Sequence, residues 1–406
     1  VATKKRSAKK KRSAKKKPAK KAKKKAAKKK DKGDEAGTLA ARRDKIRARY
    51  EKPVVVYESD EESPRIQTRF LRLNRLLGGG LKRGSIIEIY GWEDAGKTSE
   101  VIAMAADVQA QAPEGKNHVV MLNYEMPHDF GWWKILGLKT DKAHFTMIKP
   151  KTLEEGIADM VDLLESGEVC CVIIDSVYAA SAKGSKKVME NWRDPKKGGG
   201  TGGGIGVEAR QWGAAWTAIK GLFLEHDAIC FAINQLRVKI DMGGGPKKGY
   251  GGPSTTTPRG HALKFYAWVR LELKGGALVD ENKSLRKDVD GRRVRIKIIK
   301  NKTSDDQRGV CFYDLIRGFG FDMTSDLMLC ALEAGAIKGG GGGFYNCGSV
   351  KIRGKQKLRE WIEENPRVRE VLTTYVTRWL AKQDLEEIDQ VDLDPSEDGE
   401  PDEAEG

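Results

Sequence analysis

An eight-residue stretch, Gly91-Trp92-Glu93-Asp94-Ala95-Gly96-Lys97-Thr98, limits what this chain can fold into more than any other feature. It follows the short apolar run Ser85–Tyr90 and precedes a segment of helical composition. A G-x-x-x-x-G-K-[ST] loop between a strand and a helix is a P-loop. Its glycines let successive backbone N–H groups turn toward a phosphate, and the helix N-terminus behind them adds positive potential. Lys97 is placed to reach the β- and γ-phosphates of ATP, and the Thr98 hydroxyl to ligate Mg²⁺. The expected cradle runs from Gly91 to Ser99. The bland alternative, a chance Gly/Lys turn, does not account for the strand and helix on either side.

The rest of the pattern predicts an α/β protein. Val119–Tyr124, Val169–Ile174 and Ala228–Ile233 are largely apolar runs, as in parallel strands covered on both faces. The segments between them are long enough for helices, so repeated βαβ units and a mostly parallel central sheet flanked by helices are expected. Ala267–Leu273 and Val294–Ile298 alternate instead, and are expected to be antiparallel strands extending that sheet. Asp175 ends one apolar run and suits the carboxylate that positions Mg²⁺ and its waters. Glu125 closes another run at the sheet end where such folds place ligands, and could orient an attacking water. Taken alone, Glu125 could equally be an ordinary strand-end or helix-cap residue, a reading that suits Asp175 less well.

Charge divides the chain into parts. Residues 1–30 hold 18 Lys or Arg and no acid, and residues 384–406 hold 12 Asp or Glu and no base. The middle remains basic, with 57 Lys or Arg against 46 Asp or Glu, which favours an anionic partner for the folded part itself. Residues 1–36 are expected to be a disordered Lys-rich tail, because so many like charges with few apolar side chains cannot nucleate a core. Residues 37–64 are read as a helix and strand used in subunit packing, with Leu39–Tyr50 helical and Pro53–Tyr57 extended. Residues 65–322 form the expected core, 323–383 a small α+β C-terminal domain containing helices near Leu358–Glu364 and Val368–Lys382, and 384–406 a disordered acidic tail. Lys183–Gly206 and Val238–Gly260 are long Gly- and Lys-rich connections, of the kind that is usually functional or disordered. No signal peptide or membrane span is expected, since the basic start leads into no apolar run. The six cysteines lack metal-ligand spacing and read as buried, reduced thiols of a cytoplasmic protein.

Several segments taken in order resemble the bacterial RecA recombinases: Gly84–Thr98, Val172–Val177, Phe231–Ile240, Ala262–Leu271 and Ile298–Lys302. The resemblance runs from about Ile66 to Leu380 and covers cellular and bacteriophage members alike. It implies a P-loop NTPase of RecA type, with ATP and Mg²⁺ as cofactors. It also implies a homo-oligomeric helical filament on single-stranded DNA that pairs with double-stranded DNA and exchanges strands in recombination, repair and the SOS response. Single-strand-binding and loader proteins are implied partners, and a nucleoid-associated location is implied. Glu125 resembles the catalytic glutamate that activates water. Gln235 resembles the γ-phosphate sensor that joins the ATP site to the second DNA loop. Lys300 and Lys302 resemble the pair that reaches a neighbouring subunit's ATP, where cations at developing phosphate charge are effective. The two long connections resemble the DNA loops. Arg210 matches a phosphate contact near the first, and Arg237, Ile240, Thr255, Thr256 and Thr257 match the second.

The chain departs from the family pattern in places. The first loop is a glycine run, the second carries the insertion Gly243–Gly252, and Gly213 and Thr217 stand where polar or basic DNA contacts are expected. Trp132 stands roughly where the resemblance places an aromatic packed on adenine, with Trp133 as a competitor and core packing as the default for either. The Lys-rich tail reads as a nonspecific DNA tether, or else as a solvated tail or an address. The acidic tail reads as an electrostatic competitor for basic surfaces, or as a solubility device. Two other functions share some of these features: a RecA-fold DNA motor or helicase, and a DNA-compacting protein led by the lysine tail.

Overall fold

The structure is a computed structural model, and it describes residues 65–125, 128–181, 207–238, 255–258, 261–278, 289–304 and 308–380. The charged tails, the 37–64 helix and strand, Ile240 and most of the two long connections lie outside the described residues.

The described chain opens with β1 (Arg65–Ile66), α1 (Leu71–Leu76), β2 (Leu81–Lys82) and β3 (Ile86–Gly91). Helix α2 (Lys97–Ala110) then leads to β4 (His118–Asn123), α3 (Phe130–Ile135), β5 (Phe145–Ile148), α4 (Leu153–Glu165) and β6 (Val169–Asp175). Next come α5 (Val207–Glu225), β7 (Ile229–Gln235), β8 (Arg237–Val238), β9 (Thr255–Thr256), α6 (Ala262–Tyr266), β10 (Val269–Gly276), β11 (Gly291–Asn301), β12 (Val310–Ile316) and β13 (Gly320–Phe321). The last described part contains α7 (Met323–Ala334), β14 (Lys338–Gly339), β15 (Phe344–Cys347), β16 (Val350–Arg353), α8 (Lys355–Glu364) and α9 (Pro366–Leu380).

Nine strands form one sheet in the order β13-β12-β11-β10-β3-β7-β6-β4-β5. The six from β10 to β5 are mutually parallel, and β11, β12 and β13 add antiparallel at one side. The continuous apolar runs are explained by two cores, one on each face. Ile87, Ile89, Met121, Ile173 and Phe231 pack with α2 on one face. Their strand neighbours Ile86, Val120, Val172, Ile174 and Cys230 pack with α4 and α5 on the other. Successive side chains point to opposite faces, so a strand buried on both must be apolar throughout.

One expectation needs correction. Strand β10 was expected to be antiparallel, but Val269 to Leu273 pair in parallel with Ile87 to Gly91, and only the β11 edge is antiparallel. Its alternation of Val269, Leu271 and Leu273 with half-buried Arg270 and Glu272 reports one dry face and one wetter face. That pattern carries no information about strand direction.

Past Phe321 a separate apolar cluster joins α7, α8 and α9 through Leu327, Leu358, Ile362, Val368, Leu372 and Val376. Gly335 ends α7 at φ +85°, a left-handed C-cap that a β-carbon would strain. Pro366 opens α9, where its missing N–H is no loss.

Candidate nucleotide site and its link to the second loop

The P-loop turns between β3 and α2. Gly91 ends β3, and a β-carbon there would lie 2.3 Å from the Leu273 carbonyl oxygen of β10, so the strand cannot end on a larger residue without shifting. Gly96 caps α2 at φ +84° with no side-chain hydrogen bond, which leaves the first N–H groups of the helix for an anion. Lys97 Nζ donates to the Trp92 carbonyl at 2.6 Å, folded back over its own loop. Burial lowers the Lys97 pKa, opposed by the charges of Glu125 and Asp175. Thr98 Oγ1 donates to Asp175 Oδ2 at 3.0 Å. Burial and the charge of Glu125 push the Asp175 carboxyl up to about 6, against the pull of Thr98 and Lys97.

These groups open into a cleft of about 800 Å³ that includes Lys97, Thr98, Glu125, Trp132, Asp175 and Gln235 in its lining. The size suits a nucleotide, and the donor set fits ATP with Mg²⁺. Lys97 and the α2 N-terminus would hold phosphates, and Thr98 and Asp175 would hold the metal. The two tryptophans are placed differently. Half-buried Trp132 lines the cleft and donates its Nε1–H to Ser99 Oγ at 3.0 Å. Trp133 is buried in the core and packs edge-on to Phe145.

Glu125 is tied into the site from both directions. Its backbone N–H donates to the Asp175 carbonyl at 3.1 Å. Its Oε1 accepts from Gln235 Nε2 at 2.9 Å and also from Ser176 Oγ. Gln235 ends β7 beside Gly91, and its Oε1 accepts from Arg237 at 3.1 Å. Arg237 begins β8, which pairs antiparallel with Thr255–Thr256 of β9 at the stem of the second long connection. A hydrogen-bonded path therefore runs from the cleft to that stem. Ser176 and Tyr178, the latter 4.5 Å below the Arg237 guanidinium, were not singled out from sequence. Neither was Arg292, which donates to the Asp94 carbonyl. Ser176 lies within the Val172–Val177 motif, but its role depends on a strand crossing that sequence spacing does not display.

The other candidate residues lie elsewhere. Thr256 accepts from Lys264 Nζ at 2.7 Å, and Thr257 is 5% exposed with its hydroxyl lacking a hydrogen-bond partner among the described residues. Arg210 is exposed on α5. Lys300 and Lys302 do not line the cleft. Lys300 Nζ donates to the carbonyls of Lys264, Phe265 and Ala267 at 2.6, 3.0 and 2.6 Å, closing the C-terminal end of α6. Burial, then the charge of Lys302, lowers its pKa to about 8. Arg292 touches the P-loop, and Lys300 stands eight residues farther along β11, on the order of 26 Å away.

A family model described as the RecA N-terminal domain matches residues 39–322, more than two-thirds of the chain. The chain belongs to the RecA family. Protein RecA of Geobacter sulfurreducens is 32% identical over 302 residues, covering 74% of this chain and 81% of its own length. Protein RecA of Oleidesulfovibrio alaskensis is 31% identical over 296 residues, covering 72% and 76%. Protein RecA of Lactobacillus delbrueckii subsp. bulgaricus is 28% identical over 353 residues, covering 86% and 98%. Membership makes this a protein of DNA recombination and repair with a RecA-type, nucleotide-binding P-loop core. All six cysteines are buried and free. Among the described residues no helix is long and apolar enough to cross a membrane.

Proposed function

We propose that this RecA-family chain forms an ATP-dependent helical filament on single-stranded DNA, pairs it with homologous duplex and exchanges strands, hydrolysing ATP in a DNA-dependent manner. The observation that carries the reading is the hydrogen-bonded path from Glu125 through Gln235 to Arg237. It joins the nucleotide cleft to the stem of the second loop, so occupancy at one end can bias the other.

Each residue has a physical task in this reading. Lys97 and the N–H groups at the start of α2 hold phosphate oxygens, and Thr98 with Asp175 holds the metal. Bound ATP with Mg²⁺ supplies the phosphoanhydride and the charge that offsets its phosphates. Glu125 orients the water that attacks, while Gln235 reports the state of the cleft to Arg237. Arg210, Arg237 and the threonines Thr255, Thr256 and Thr257, together with Ile240, are assigned to the DNA loops, where backbone N–H groups and arginines suit phosphates and apolar side chains suit base faces. Lys300 and Lys302 are assigned to the neighbouring subunit's nucleotide. Base pairing supplies sequence recognition, and the protein holds the strands.

The test is ATP-dependent joint-molecule formation between single-stranded DNA and homologous duplex, with heterologous duplex as the control. Homology-dependent product is expected. DNA-stimulated hydrolysis without such product would instead indicate a DNA motor or a packaging protein on the same fold.

A further inference from the structure

Arg237 is an exposed cation that is nevertheless held by two groups from different loops. Its guanidinium edge donates to Gln235 Oε1 at 3.1 Å, and its face lies 4.5 Å from the centre of the Tyr178 ring. Tyr178 follows β6 at the approach to the first glycine-rich connection, whereas Gln235 ends β7 at the approach to the second. Because Gln235 Oε1 faces Arg237, its amide nitrogen faces the other way and donates to Glu125 Oε1. Ser176 Oγ donates to the same oxygen. Among the described residues that oxygen therefore carries two protein donors, which fill its two lone-pair sites and hold the carboxylate in one orientation.

We propose that Tyr178 and Arg237 form a brake on the nucleotide site that a nucleic-acid phosphodiester releases. With Arg237 stacked on Tyr178, Gln235 is oriented to pin Glu125. A phosphodiester oxygen that draws Arg237 off the ring frees Gln235 to turn, and opens Glu125 Oε1 to water. The brake rests on the proposed roles of Glu125 and Arg237, and adds Tyr178 as a positioning residue that touches neither nucleotide nor DNA. The competition is uneven in the required direction. A cation–π contact at an exposed site is weak, whereas a guanidinium–phosphate contact is charge-assisted and can be bidentate. The brake thus holds in the absence of DNA and yields to it.

The test uses the full chain with Tyr178→Leu, which keeps bulk but removes the π face, and Tyr178→Phe, which keeps the face. Two quantities are read: ATP turnover without DNA, and binding of a fluorescein-labelled oligothymidylate without nucleotide at fixed salt. Tyr178→Leu is expected to raise the first and tighten the second, each by about two- to five-fold, the size of one exposed cation–π contact. Tyr178→Phe is expected to match the unsubstituted chain in both. No change in Tyr178→Leu overturns the brake, as does weaker oligonucleotide binding, which would make the ring a DNA contact instead. Arg237→Ala separates this failure from failure of the underlying reading. If Arg237→Ala weakens binding while Tyr178→Leu changes nothing, Arg237 remains a phosphate contact and only the brake falls. If Arg237→Ala binds the oligonucleotide unchanged, the assigned role of Arg237 falls and the brake with it.

Discussion

The Thr98 hydroxyl donates to Asp175 Oδ2 at 3.0 Å, joining the first turn of α2 to the end of β6 across the floor of the cleft. Two residues 77 positions apart are thereby brought together beside the P-loop lysine, and in the proposed site they would share one cation. Thr98→Val should keep the shape of the helix start while weakening Mg²⁺-dependent nucleotide binding by about tenfold, as expected for loss of one strong oxygen contact. Titration of a fluorescent ATP analogue with and without Mg²⁺ would show it, and an equal loss in both conditions would remove Thr98 from the metal site. Lys97→Ala should abolish hydrolysis, and surviving DNA-stimulated turnover would overturn the placement of the site.

Asp326 predicts a pH effect on stability. It is buried at the start of α7, where its Oδ2 accepts the Leu71 N–H at 2.7 Å. Burial pushes its carboxyl up to about 7, against the pull of the Arg72 and Leu71 N–H groups. The folded chain therefore binds this proton more tightly than the unfolded chain. The corresponding stability is present in full below about pH 4 and is lost as pH rises toward about 7. Asp326→Asn removes the titration, so the difference in urea midpoint between pH 5 and pH 8 should shrink. An unchanged difference would assign the slope to other groups.

Glu100 makes the opposite kind of stability prediction. It is fully buried on α2, and neither carboxyl oxygen has a hydrogen-bond partner among the described residues. Burial holds its pKa well above the usual carboxylate range, with the charge of Asp107 adding to the effect. An unpartnered buried polar group costs about 1–3 kcal/mol. Glu100→Met, similar in length, should therefore raise the denaturation midpoint, and a lower midpoint would mean that the acid has a partner in solution.

The same contrasts show what the chain disclosed before its structure was known. The meeting of the P-loop, Asp175 and Glu125 in one cleft was legible because each sits at the end of an apolar run, and parallel sheets gather strand ends at one edge. The direction of β10 was not legible, because alternation reports burial and not polarity. Trp132 and Trp133 were indistinguishable as neighbours in sequence. Only the rotation of α3 puts one against Ser99 and the other against Phe145. Ser176 and Tyr178 were missed for a related reason: their partners, Glu125 and Arg237, come from other strands.

The Lys-rich start of the chain makes a measurable prediction about duplex DNA. With 18 Lys or Arg and no acid in residues 1–30, each phosphate it neutralises releases counterions, giving a log–log salt slope of about −0.9 per contact. Deleting residues 2–30 should flatten the salt dependence of duplex binding. An unchanged slope would mean that the tail makes no contacts.

The position of Lys300 predicts a result that only two kinds of subunit can show. Within one chain its Nζ is turned to the carbonyls of Lys264, Phe265 and Ala267 and it does not line the cleft, so it is not placed to serve its own nucleotide. If it serves the neighbouring subunit instead, Lys300→Ala should leave nucleotide binding by the isolated chain unchanged but remove DNA-stimulated hydrolysis. Lys97→Ala has the converse defect, an impaired nucleotide site with Lys300 intact. Mixing the two inactive variants creates interfaces in which the Lys97→Ala subunit presents Lys300 to an intact P-loop. DNA-stimulated hydrolysis should return in part, rising and falling with the mixing ratio and peaking between the two pure variants. If every mixture stays inactive while both variants still assemble together on DNA, Lys300 acts only through the α6 carbonyls that it holds.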